Sequence, residues 1–257
     1  MPLSTSGKIA ITFSLGMLAG AGIVNYLYIG NPFPGLDRAT PARSAAPNKA
    51  QAVSPKSVAE DIKKGGYILY FRHPQRQKWD SVIAFDVFEL ATGANAADAT
   101  YRDAVCLTTQ GKEEAKIIGK IFELAKVPVG AVASSPSCRA RQGAELAFGK
   151  TGAPSVGLAH TPVTNKDNAA AFSADLKRVL TTITIEPGKN AVIMAHGNTL
   201  ENHPHLFSDG ADYLRGPAIT ETGFFVIKRE PDGKLRIVYR FANLGDFAAN
   251  AITLQIN

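Results

Sequence analysis

The sequence predicts an α/β domain, a three-layer α/β/α sandwich with a mostly parallel central sheet, preceded by an N-terminal transmembrane helix. Three observations predict it. Short, wholly apolar runs of buried-strand type alternate with longer stretches of helical periodicity. Three of these runs end in polar residues, as strands do at the edge of an α/β sheet where ligands bind. An uncharged apolar segment of bilayer length stands near the N-terminus.

That segment is the first element. Residues 9–29 read IAITFSLGMLAGAGIVNYLYI, without a charge and directly after Lys8. At about 1.5 Å of rise per residue, a helix of this length covers roughly the 30 Å of a bilayer core. Tyr26 and Tyr28 fall where an interfacial aromatic belt is expected. A cleaved signal peptide is the competing reading. Ala19-Gly20-Ala21 offers small residues for cleavage, although the apolar run continues through Ile23, Val24 and Leu27. The short N-terminal tail favours a single anchor at 1–30 with the domain on the periplasmic or extracellular side. Residues 31–55, rich in Pro, Ala, Ser and Gly, read as a tether, and 56–257 as the folded domain.

Within the domain, Ser57 is placed to cap a helix through Lys64, which Gly65-Gly66 ends. Residues 67–71 (YILYF) form a buried strand. A long helix covers 109–126, with Ala115, Ile118, Ile121, Phe122 and Leu124 at helical spacing. Val132-Ala133 is a short strand, 138–148 a helix and 169–180 another. Residues 191–195 (AVIMA) form a second buried strand. Strands at 224–228 and 235–241 flank Pro231-Asp232-Gly233, a hairpin signal.

Composition excludes several classes of protein. With 45% hydrophobic and 19% charged residues the chain is globular rather than disordered. A net charge of +6 suits anionic partners such as phosphoesters or acidic lipids. No dense basic run and no nucleic-acid module accompany that charge, so no nucleic-acid partner is expected. Two cysteines, Cys106 and Cys138, exclude a disulfide-framework miniprotein and a four-cysteine zinc site. In an oxidising compartment they can pair. Two buried thiols fit the sequence equally, because spacing alone does not bring their Cα atoms into bonding range.

The polar residues at the strand ends carry the chemistry. Arg72-His73-Pro74 follows Phe71, Ser134-Ser135-Pro136-Ser137-Cys138-Arg139 follows Ala133, and His196-Gly197-Asn198 follows Ala195. Parallel strands deliver their C-terminal ends to one edge, so the three loops can converge with two arginines and two histidines. Guanidinium groups bind phosphate oxygens bidentately and neutralise charge in a transition state. A neutral imidazole can attack phosphorus and form a covalent intermediate, and a second, if protonated, adds a donor.

The order Arg72-His73, then Leu107-Thr108-Thr109-Gln110-Gly111 before a helix, then SSPSCRARQGA, then His196-Gly197 resembles the histidine phosphatase superfamily, the phosphoglycerate-mutase-like fold. The match spans about residues 66–245. The resemblance implies that His73 is the phosphorylated nucleophile and that Arg72, Arg139 and His196 complete the phosphate pocket. It implies a phosphomonoesterase that needs no cofactor or metal. The substrate would be a phosphorylated small molecule or an envelope glycan phosphate near the membrane. The fold also supports mutases, but an extracytoplasmic site without the usual Glu favours hydrolysis.

The chain departs from the family pattern at Pro74, where a Gly usually follows the Arg-His pair, and at Gly143, where Thr is common. The proton donor is open. Asp167, with Thr161 and Asn165 nearby, lies in the region used by one branch. Where the other branch has Asp after the second His, this chain has Gly197, with Glu201 four residues beyond. Asp86 and Glu89 are further carboxylates. Arg76 is a candidate to extend the phosphate pocket, and Gln75, Lys78 and Trp79 lie close by in sequence. His203 and His205 with His196 raise a metal reading, but no Cys or well-placed carboxylate completes a ligand set, so no metal is expected. The alternative function is a catalytically silent module of the same fold that binds a phosphorylated ligand. A purely structural membrane protein leaves the Arg/His set unexplained.

Overall fold

The computed structural model describes residues 53–76, 106–152, 154–160, 166–215 and 218–252. The expected anchor at 9–29, most of the tether, and Lys78, Trp79, Asp86, Glu89, Thr161 and Asn165 lie outside the described residues. Among the described residues no helix is long and apolar enough to cross a membrane.

Helix α1 (Pro55–Lys64) opens the domain. It starts two residues before the expected cap at Ser57. Pro55 occupies the first turn, where a missing N–H costs nothing, and Ser54 takes the cap position. Strand β1 (Ile68–Arg72) follows, then α2 (Thr109–Leu124), β2 (Val129–Ser134) and α3 (Cys138–Phe148). A 3-10 turn (Val156–Leu158) leads to α4 (Lys166–Thr182) and β3 (Asn190–Ala195). After the short α5 (Gly197–Glu201) comes β4 (Phe207–Asp209), which the sequence pattern did not predict. The expected hairpin is β5 (Phe224–Arg229) with β6 (Leu235–Phe241), and α6 (Leu244–Ala251) closes the domain.

The six strands form one mixed sheet in the order β2-β3-β1-β5-β6-β4. Pairs β2/β3, β3/β1 and β6/β4 are parallel, and only β5 runs against its neighbours. Strands β1 and β3 are central, and β3 is buried throughout, which is why both read as unbroken apolar runs.

Alternation along the strands builds two cores, one on each face. On one face Ile68, Tyr70, Ile193 and Phe225 pack with Leu176, Val179 and Leu180 of α4. On the other, Phe71 stacks on Phe224 at 4.5 Å between ring centroids, and Phe122 of α2, Phe148 of α3 and Phe247 of α6 close around them. Helices therefore cover both faces, giving the expected three layers.

The register then sets the site. Arg72 pairs with Ala195 and Ser134 with Met194, so the next residue of each strand leaves at the same edge. The His73 amide donates to the Ala195 carbonyl and the Ser135 amide to the Met194 carbonyl, both at 2.9 Å. The three polar loops are thus tied to one another by the last rungs of the ladder.

Candidate active site

His73, Arg139 and His196 are buried together at this edge, at 4%, 0% and 1% exposure. For two imidazoles and a guanidinium, such burial is tolerable only if partners satisfy them. The rings of His73 and His196 meet edge to face at 5.2 Å.

Each ring is held in one tautomer. Nδ1 of His73 lies 2.7 Å from the Pro74 carbonyl, which only accepts, so Nδ1 carries the proton and Nε2 the lone pair. For His196 the assignment is reversed. Arg139 donates from Nη2 to Nδ1 at 3.3 Å, and Nε2–H donates to the Ser135 hydroxyl at 2.9 Å. Ser135 in turn donates to the Ser137 hydroxyl at 3.3 Å and accepts the Ser137 amide.

Both imidazoles are held neutral. Burial pushes the pKa of His73 well below its ordinary value, and the Arg139, Arg72 and Arg76 charges push it further against the opposing Pro74 bond. For His196, burial acts first and the Arg139 charge next. Burial and the Arg139 charge thus act against the charged form of the second imidazole. In the ligand-free site it is a neutral link between Arg139 and the serine pair.

Pro74 does not remove what the loop after β1 needs. The residue contributes a carbonyl, which proline retains, and its missing N–H is not used. Its ring lies over α3, where a Cβ on Gly143 would come within 2.9 Å of Pro74 Cδ. The two departures from the family pattern are thus one packing arrangement, with the ring filling the space that the bare glycine leaves.

The other sequence candidates separate. Arg72 is half-buried and donates from Nη1 to the Ile219 carbonyl at 2.7 Å. Glu201 accepts the Ile219 amide beside it. Burial raises its pKa, opposed by the Arg72 charge. Glu201 therefore braces Arg72 and the Ile219 backbone. Arg76 forms an isolated antiparallel bridge with Leu107, close enough for its charge to act on His73. Asp167 lies in the first turn of α4. His203 donates from Nδ1 to the Thr199 carbonyl at 2.7 Å, and His205 contacts the Ser173 hydroxyl. Among the described residues no group of three or more His, Cys, Asp or Glu is arranged to hold a metal.

Two features escaped sequence reasoning. His160 stacks edge to face on His196 at 5.3 Å, making a row of three imidazoles. No motif surrounds it, so only packing reveals it. Glu114 of α2 accepts the Gln75 amide at 2.8 Å and is pushed up by burial. It stands three residues after Gly111, one helical turn along the same face, and that spacing was the available signal. The cysteines, left open between a disulfide and two thiols, take the first of these. Cys106 and Cys138 form a disulfide with Cα atoms 4.7 Å apart, so the residue before Arg139 is tied to the residue before Leu107.

No family model matches the chain, and no curated protein matches it. Several solved structures align with it. The protein histidine phosphatase SixA, complexed with tungstate, is 17% identical over 68% of this chain and 96% of its own, with a TM-score of 0.43. A putative alpha-ribazole-5'-P phosphatase from Escherichia coli is 14% identical over 73% and 99%, at 0.45. A phosphoserine phosphatase from Entamoeba histolytica, in complex with 3-phosphoglyceric acid, is 13% identical over 70% and 98%, at 0.46. At these identities and scores the likeness assigns no activity, and the chemistry of the site carries the functional reading.

Proposed function

We propose that the chain is a phosphomonoesterase that works through a covalent phosphohistidine on His73. The observation that carries this is the tautomer: the Pro74 carbonyl fixes the proton on Nδ1 and leaves Nε2 as a lone pair in a buried, arginine-lined site. A neutral imidazole so held is a nucleophile needing no deprotonation. Arg139 and Arg72 supply the positive charge that a transferring phosphoryl group demands, and Ser135, Ser137 and His196 supply hydroxyl and ring donors around it.

In the first step the Nε2 lone pair of His73 attacks phosphorus, the bond to the leaving oxygen breaks, and phosphohistidine forms. In the second, water attacks that phosphorus, the P–N bond breaks, and its electron pair returns to Nε2. Bound phosphate would replace the internal contacts that Arg139 and the serines now make.

The substrate we propose is a phosphoester of the envelope or extracytoplasmic space, met by a domain tethered through 9–29. Support comes from the sequence of that segment and from the Cys106–Cys138 disulfide, since such bonds persist in oxidising compartments.

The test is phosphate release from 4-nitrophenyl phosphate by the purified full-length chain, with phosphohistidine trapped by an alkaline quench and recognised by its loss in acid. His73→Ala is expected to abolish both signals, and Arg139→Ala to lower kcat by about 10²–10³. Binding of phosphate with no turnover by the parent chain would instead identify a silent binding module.

A further inference from the structure

We propose that His160 is the proton donor to the leaving oxygen and then the base that activates water; this rests on the phosphohistidine reading of His73. Of the carboxylates weighed from the sequence, Glu201 is the one whose side chain lies among the described residues. Glu201 is engaged with the Ile219 amide beside Arg72, whereas His160 stands in the histidine row itself.

Position comes first. His73 to His196 and His196 to His160 are centroid steps of 5.2 and 5.3 Å, so His160 lies no farther from His73 than those steps laid end to end. An in-line displacement places the leaving oxygen on the side of phosphorus away from the nucleophile. With reacting atoms about 3–3.5 Å apart and a donor about 2.6–3.2 Å from the leaving oxygen, the donor belongs within that bound.

Mounting is the second point. Ala159 is buried, and its carbonyl accepts the Thr199 hydroxyl at 2.9 Å, which fixes the backbone beside the ring. Upstream, Asp175 of α4 accepts the Ser155 hydroxyl at 2.7 Å and the Gly157 amide at 2.6 Å, which fixes the 3-10 turn. The side-chain nitrogen of Asn198 lies 3.1 Å from Nε2 of His160. An amide carries a donor and an acceptor on one end, so a half-turn lets Asn198 support either protonation state of the ring. That suits a group that gives up a proton and takes it back.

Exposure separates the roles. His73 and His196 are buried, whereas His160 is half-buried and open to proton exchange with water. As the P–O bond breaks, its electron pair stays on the leaving oxygen, and the His160 imidazolium supplies the proton that makes the alcohol. Neutral His160 then takes a proton from water as the water oxygen bonds to phosphorus and the P–N bond breaks. Phosphate leaves and His160 is again protonated.

The test compares leaving groups. A proton donor matters for an alkyl alkoxide and little for nitrophenolate, so hydrolysis of glycerol 2-phosphate and 4-nitrophenyl phosphate is measured for the full-length parent, His160→Asn, His160→Gln and Glu201→Gln. Both His160 variants are expected to lose 10²–10⁴-fold more rate on the alkyl ester than on the aryl ester. Equal losses on the two esters, no loss, or a leaving-group effect confined to Glu201→Gln would overturn the proposal. If the parent chain forms no phosphohistidine and His73→Ala is no slower, the reading of His73 fails, and this assignment fails with it.

Discussion

Pro74 and Gly143 show how two residues far apart in sequence become one feature in space. A Cβ at 143 would sit 2.9 Å from the proline ring and 3.4 Å from Met194 Cγ. Gly143→Thr is therefore expected to destabilise the domain by about 1–3 kcal/mol through overpacking. Pro74→Gly in the same chain should recover part of that loss, with a coupling of about 0.5–3 kcal/mol in a double-mutant cycle read by denaturant unfolding. Strict additivity would show that the ring does not depend on the glycine. Both residues stood out in the sequence as departures, but their relation did not, because nothing in a one-dimensional pattern pairs position 74 with position 143. His73, Arg72, Arg139 and His196 were legible for the opposite reason. Arg72 ends β1, His73 and His196 directly follow β1 and β3, and Arg139 stands in the first turn of the helix after β2, so strand ends fix where all four go.

At the scale of elements, the start of α2 and the start of α3 hold the loop after β1 between them. Thr108 caps α2 by accepting the Gly111 amide at 3.0 Å. Gly111 lets that turn press on the loop, since a Cβ there would fall 1.9 Å from the Gln75 carbonyl oxygen. The Cys106–Cys138 bond fastens the two helix starts to each other. Removing it with Cys106→Ser and Cys138→Ser, or by reduction, is expected to cost about 2–4 kcal/mol. Activity should fall along with the melting temperature, because Cys138 adjoins Arg139. A melting temperature indifferent to reductant would mean that the packing of the helices alone sets this geometry. The helix patterns predicted α2 and α3 well, since their apolar faces are long and periodic. They predicted neither β4, which is too short to show a period, nor the start of α1, where Pro55 decided the boundary.

The molecule as a whole inherits a pH dependence from its neutral histidines. His73 and His196 have folded-state pKa values pushed well below 6.5 by burial and by arginine charge. Released by unfolding, both would titrate near 6.5, so below that pH the unfolded chain binds more protons than the folded one. Stability is therefore full above about pH 6.5 and falls as pH drops toward the lowered folded values. A melting curve series from pH 7.5 to 5 is expected to show this fall, and His196→Gln should make it shallower. An unchanged slope in that variant would place the acid sensitivity elsewhere. The sheet order and its single reversed strand also belong to this scale. Alternating strands and helices announced the layers, whereas the order β2-β3-β1-β5-β6-β4 depends on contacts across the whole chain. The bridge between Arg76 and Leu107 has a wider consequence. It brings the two ends of 77–105 to a common doorway on the rim of the sheet, reinforced by the Thr108 amide on the Gln75 carbonyl at 3.2 Å. With the ends already joined, doubling the length of what runs between them costs only about 0.6 kcal/mol. The junction is thus held by Gln75, Arg76, Leu107 and Thr108 themselves, whatever the length of sequence that runs between them.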